Sequence, residues 1–216
     1  MKAGHPSLQQ MHDGDPRPSV VTLGGISAQL PTASAPRTRA LMVNRARAGD
    51  RDAFEALVAA NLASTFRTAL AILGSEADAR DACQEVFLKA WRELPRLRDV
   101  ARFDAWLGRI LVNACRSALR TRRRRYVREI PMNDPSATRL RARVPSFDDR
   151  VSELDVLERS FERLSIAERT LLALHYLENR SIAEIAEVLG VPQGTVKSRL
   201  HAARRSFERA LEVSSR

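Results

Sequence analysis

The chain is 216 residues long, room for one domain or two small ones, and sets 36 Lys and Arg against 26 Asp and Glu, a formal net charge of +10. That surplus favours a polyanionic partner, because each neutralised phosphate releases counterions. Cys83 and Cys115, the only cysteines, lie among helix formers and give poor support to a disulfide or a zinc site; two buried free thiols in a reducing cytosol are expected. No apolar run approaches membrane-spanning length and no signal-peptide core opens the chain, so the sequence predicts a soluble, cytoplasmic protein without membrane insertion.

Residues 1–40 are rich in Pro, Gly, Ser and Thr and are predicted to be a disordered N-terminal extension. Met42 lies where the ordered part is expected to begin, which makes it a candidate translation start. From Ala40 to Arg125 the pattern is helical throughout. Asp52 opens a long helix that runs to about Leu73, where Gly74-Ser75 breaks it. A second helix covers Asp78 to about Glu93, and Pro95 stops it and starts a loop over 94–102. The third, from Phe103 to about Arg123, interleaves Trp106, Ile110, Asn113 and Leu119 with Arg109, Arg116 and Arg120. It ends in Arg122-Arg123-Arg124-Arg125, a run that also complements the helix dipole.

Residues 126–148 lose the periodicity and gain Pro131, Pro135 and Pro145, so they read as a flexible linker. A second helical unit follows over 149–216. It is neutral overall and polarised within itself, whereas the surplus charge falls on the first unit, 41–125. The fold class is therefore all-α, two small helical domains joined by a linker. The second unit holds a capping box at Ser165 and Glu168 and another at Ser181 and Glu184. Gly190 supplies a left-handed turn, and Pro192 suits the first turn of the next helix. On that helix Val196, Leu200, Ala203, Phe207 and Leu211 form the apolar stripe. Thr195, Ser198, Ala202, Arg205 and Arg209 stand opposite, flanked by Lys197, Arg199 and His201. Two short helices, a glycine turn and cations on the second describe a helix-turn-helix, which reads duplex DNA.

Three segments carry a family resemblance. Asp78-Ala-Arg-Asp-Ala-Cys-Gln-Glu-Val-Phe-Leu-Lys-Ala-Trp-Arg92 resembles the core-polymerase-binding segment of extracytoplasmic-function (group 4) sigma factors of bacterial RNA polymerase. Arg102-Phe-Asp-Ala-Trp-Leu-Gly-Arg-Ile-Leu-Val-Asn113 resembles the segment that leads into promoter melting, and Leu189 to Arg205 resembles the recognition helix. The likeness covers about 43–125 and 149–212, with 41–125 like sigma region 2 and 149–216 like region 4. It implies a stress-responsive initiation factor that binds core RNA polymerase, recognises minus-35 and minus-10 promoter elements and helps open the DNA.

Carried over residue by residue, the resemblance implies core contacts at Asp81, Gln84, Glu85 and Phe87; Trp91 reads rather as core. The loop at 94–102 matches the family's base-capturing loop. It offers Arg96, Arg98 and Arg102 for phosphates but no aromatic for stacking. Asn113, Arg116 and Arg120 match the minus-ten face, and Thr195, Lys197, Ser198, Arg199, His201 and Arg205 the minus-thirty-five face. Ala202 reaches only a methyl group. Partners implied are core polymerase, promoter duplex with its melted single strand, and an anti-sigma factor. No enzyme activity, metal or cofactor is expected: His5, His12, His175 and His201 are dispersed, and no nucleophile motif or phosphate loop occurs. The rival readings are a helix-turn-helix regulator of the response-regulator output type, against which the missing strand–helix alternation counts, and a pure interaction module, against which the basic third helix counts.

Overall fold

A computed structural model describes residues 35–129 and 153–214. All of them belong to the compact unit Pro31–Arg216. Among the described residues there are eight α-helices and no strand, as an all-α chain requires. The first half comprises α1 (Ala35–Arg47), α2 (Arg51–Leu73), α3 (Glu76–Glu93) and α4 (Phe103–Glu129), with two 3-10 turns, Leu94–Arg96 and Val100–Arg102, between α3 and α4. The second comprises α5 (Glu153–Glu162), α6 (Ile166–Leu172), a π-type turn (Ala173–Leu177), α7 (Ile182–Leu189) and α8 (Gln193–Ser214).

The punctuation follows the sequence. Asp50 caps α2 by accepting from the Ala53 amide at 3.0 Å. That bond comes first, and Arg45 beside it second, in holding the Asp50 carboxyl below its usual value. Gly74 closes α2 at φ 65°, a left-handed conformation that glycine adopts without a Cβ clash. Ser75 caps α3, and Pro95 prevents its continuation.

Three expectations need correction. Residues 35–40, assigned to a disordered extension, are helical; Pro36 sits in the first turn, where its missing N–H is no loss, and Arg39 is tied to the second and fourth helices. The helix through the arginine run extends to Glu129, past the expected linker boundary at 126. And α2 is, by length and composition, apolar enough to cross a membrane. Its breadth of apolar surface has another cause: α1, α3, α4 and α6 all pack on it, and Asn61, Thr65 and Thr68 are buried along it. Residues 1–34 and most of the expected linker, 130–148, lie outside the described residues.

Two buried clusters interlock. Leu57, Ile72, Val86, Leu94, Leu107 and Leu111 anchor the first, which also takes in Ala173 from the π-type turn. Leu164, Leu174, Ile185, Val188, Val196 and Leu200 anchor the second, which takes in Ala105 and Val112 from α4. Each core thus borrows residues from the other half. Along this seam α4 runs against α7, and α2 against α6 and the π-type turn.

Candidate nucleic-acid and polymerase interfaces

The helix-turn-helix is α7, the turn at Gly190, and α8. Ser181 accepts from the Glu184 amide at 3.3 Å while the Glu184 carboxylate accepts from the Ser181 amide at 2.8 Å, so two orphan donors are satisfied at once. Gly190, at φ 68°, turns the chain, and its N–H returns to the Ala186 carbonyl. Pro192 ends outside α8, and its carbonyl accepts from the amides of Thr195 and Val196. Val196, Leu200 and Ala203 are buried, and Phe207 and Leu211 half-buried, which fixes the rotation of α8. Lys197, Ser198, Arg199, His201, Ala202 and Arg205 consequently stand exposed on the other side, with Thr195 half-buried at its edge.

Of the adjacent Arg204 and Arg205, only the second points outward. Arg204 lies over the Tyr176 ring at 5.6 Å and reaches His175 Nε2 at 3.3 Å. His175 Nδ1 is 3.0 Å from the Arg180 carbonyl, which can only accept, so Nδ1 carries the proton and Nε2 receives the Arg204 bond. His175, half-buried, is a structural link between the π-type turn and α8.

In the first half, Asp81, Gln84 and Glu85 are exposed and line one shallow groove along α3, together with Leu88, Lys89, Arg92 and Glu93. Phe87 is half-buried beside it, and Trp91 packs on Phe54 with ring centroids 4.8 Å apart. Leu88, 51 % exposed and four residues after Gln84, is the apolar member of the groove. Its i, i+4 spacing from Gln84 puts it on the same side of α3, whereas the aromatic Phe87 is turned half inward.

Arg96 and Arg98 are exposed and flank Leu97, whose side chain is buried. Arg102 is exposed but ion-paired with Glu187 of α7 at 2.7 Å. Asn113, Arg116 and Arg120 stand exposed along α4, at a spacing that puts the three on one side of that helix. Arg122 lies on a different side of α4 and reaches Asp78 of α3 at 3.6 Å. Cys83 and Cys115 are both buried free thiols, and burial pushes Cys115 up to about 12.

The seam runs along α4 as well. Arg109 donates to the Glu187 carbonyl at 2.7 Å, and Arg180 to the Asp104 carbonyl at 3.1 Å. A Cβ at Gly108 would meet Arg180 Nη2 at 3.0 Å and a Val188 methyl at 3.1 Å, so any side chain there would have to push these two neighbours aside. Arg169 lies 3.5 Å from the corresponding point of Gly74, and burial lowers its pKa from the usual arginine range.

Family models match in both halves: Sigma-70 region 2 over residues 57–125 and Sigma-70, region 4 over 154–207. The chain is 34% identical over 167 residues to the ECF RNA polymerase sigma factor SigM of Mycobacterium tuberculosis, covering 76% of this chain and 80% of the relative. It is 32% identical over 182 residues to the ECF RNA polymerase sigma-E factor of Haemophilus influenzae, covering 79% and 94%. Among solved structures, CnrH in complex with the cytosolic domain of CnrY superposes with a TM-score of 0.62 at 26% identity, covering 81% of this chain and 97% of that one. RpoE of Bartonella quintana, in complex with the anti-sigma factor NepR, shares the fold with a TM-score of 0.59 at 23% identity, covering 74% and 97%. A region 2 match in the first half leaves the response-regulator reading without support. The chain belongs to the extracytoplasmic-function sigma factors, the initiation factors that direct RNA polymerase to promoters.

Proposed function

We propose a division of labour within this initiation factor: residues 41–125 act as a region 2-like unit that binds core polymerase and opens the minus-10 element, 126–148 link, and 149–216 act as a region 4-like unit that reads minus-35. The observation that carries it is α8, buried along Val196, Leu200 and Ala203 and cationic on its exposed side. That side fits a major groove, with Lys197 and Arg199 toward guanine or phosphate, His201 as a donor, and Thr195, Ser198 and Arg205 at the flanks. The α3 groove, with Asp81, Gln84 and Glu85 around Leu88, has the apolar centre and charged rim of a protein contact, with Phe87 at its side. Arg96, Arg98, Arg102, Arg116 and Arg120 hold strand phosphates, and Asn113 reads a base edge.

Arg102 has a prior engagement. Its pair with Glu187 must break before it can reach DNA, so the two halves separate when the polymerase engages both promoter elements. A protein that clasps the closed arrangement would keep the factor silent, and an anti-sigma partner, met by this factor in the cytoplasm, is part of this reading. The co-complexes in which CnrH and RpoE were captured support it. The protein itself supplies contacts and no covalent chemistry; bond making belongs to the polymerase.

Run-off transcription from a random promoter library, with purified protein and bacterial core polymerase, tests the proposal. Start sites sharing an upstream and a downstream motif are expected. Lys197→Ala or Arg199→Ala should then cost about 1–3 kcal/mol on promoters carrying the base each reads, and change little on others. Uniform weakening over all sequences would reassign the residue to phosphate. Specific duplex retention without any transcription would overturn the division of labour.

A further inference from the structure

We propose that α1 is a back-plate for the base-capturing loop, and that Arg39 and Arg47 are positioning residues for promoter opening. The inference rests on the reading of residues 94–102 as the loop that captures an unpaired base.

The loop is held at Leu97, and just past its end at Asp104, by the same face of α1. Arg39, Val43 and Arg47 recur at i, i+4 and i+8 and therefore line up on one side of the helix. Val43 is fully buried in the first core, with Ala46 beside it, so that face is docked and cannot roll. Arg47 donates from Nη1 to the Leu97 carbonyl at 3.1 Å. Leu97 lies between Arg96 and Arg98, and its side chain is sunk in the core. Pinning its carbonyl from behind leaves the two flanking arginines pointing away from the frame.

At the other end, Arg39 is ion-paired with Asp104, the second residue of α4 and two residues after Arg102. Its guanidinium lies 5.8 Å from the centroid of the Phe103 ring. The same Nη2 donates to Asn61 Oδ1 at 2.8 Å, and Asn61, buried on α2, donates in turn to the Leu57 carbonyl at 2.6 Å. A continuous polar chain thus runs from the centre of α2 through Arg39 to the point where the loop becomes α4. Arg39 Nε is buried without a protein partner, a desolvation cost that a freely solvated arginine would not carry.

Within the loop itself, Asp99 accepts from the Ala101 amide at 2.9 Å, which shapes the second turn but attaches it to nothing else. Apart from the Arg102 pair with Glu187 at its last residue, the side-chain anchorage comes from α1. A loop that must pocket a base as the duplex opens gains most from being ordered beforehand, since every residue it has to fix on capture weakens the captured state.

The test uses full-length protein with core polymerase and a linear duplex promoter recovered from the library. Opening is followed by a fluorescent base analogue in the melted segment, and base preference by substituting each melted position in turn. Arg39→Ala should slow opening about tenfold and flatten the preference at the position the loop captures, while affinity for core stays at the wild-type value. Arg39→Glu combined with Asp104→Arg should recover much of both losses. Arg47→Met, which keeps the packed stem and deletes only the bond to Leu97, should flatten the same preference and covers the case in which Arg39→Ala fails to fold. Wild-type opening and preference in Arg39→Ala and Arg47→Met would overturn the anchoring role. Arg96→Ala with Arg98→Ala tells the two ideas apart: if that pair opens promoters normally, the loop reading itself falls and the inference with it.

Discussion

In the first half α2 spans 23 residues and α3 18; in the second α6 has 7 and α7 8. Short helices are marginal by themselves, because nucleation is costly and few bonds repay it. The second half meets this locally: both short helices begin with a complete Ser–Glu capping box, and α7 ends on a left-handed glycine. The first half relies on distance. Arg47 reaches Leu97 and Arg39 reaches Asp104, contacts 50 and 65 residues apart in sequence that hold a loop with little structure of its own. One exposed cationic surface is thus set by nearest neighbours along the chain and the other by side chains arriving from elsewhere.

The largest effects should come from the cores, where that distinction disappears. Ile185, fully buried in α7, and Leu111, buried in α4, should each cost about 2–5 kcal/mol when replaced by Ala. Because the two clusters share residues across the seam, either variant should unfold in denaturant through one transition, lowered throughout. Two resolved transitions would mean that the halves are thermodynamically independent. Gly108→Leu attacks the seam alone, forcing a side chain into the space held by Arg180 and Val188 at a cost of about 1–3 kcal/mol. Small-angle scattering should then show a larger radius of gyration with helicity retained. An unchanged radius would show that the close approach tolerates a side chain.

The same contrast explains what could be read from the residues alone. Everything in the helix-turn-helix is encoded within about one turn of where it acts: Ser181 with Glu184, Gly190 at the turn, Val196 and Leu200 on one stripe. Its exposed face was therefore legible residue by residue. So were the long helices, and Asp81, Gln84 and Glu85 fell together because i, i+3 and i+4 share a side. The anchors were not legible: nothing near Arg39 announces Asp104, and the Pro-rich composition before it suggests disorder. Nor does the sequence reveal that Gly108, an apparent weak point in a helix, is where α7 and Arg180 press in. Arg102 was legible as a cation, but its pair with Glu187 was not, since that depends on how two helices separated by the linker meet.

Smaller changes probe the local half. Ser181→Ala removes one arm of a box on an eight-residue helix and should cost about 1 kcal/mol. Ser75→Ala deletes a single bond on an 18-residue helix already packed on α2 and α4, and should cost less. Equal losses measured by urea denaturation would remove the premise that short helices lean more heavily on their caps.

The finest test is acid titration of the other box. Burial alone would raise the Glu168 carboxyl, but hydrogen bonds from Ser165 and Ser206, with Arg209 nearby, outweigh it and hold the group below its usual value of 4.5. A carboxylate whose folded pKa is depressed contributes stability that is fully present above the unfolded value and lost as pH falls through the folded one. The contribution should therefore be intact at neutral pH and fade below about pH 4.5, with a total of under about 1 kcal/mol because the group is partly solvated. Glu168→Gln keeps an acceptor at the cap while removing the titration. Melting temperatures of the two proteins should run parallel from pH 7 to 5 and converge below that. Profiles that stay parallel down to pH 3 would show that Ser165 and Ser206 hold the carboxyl no more tightly than water does.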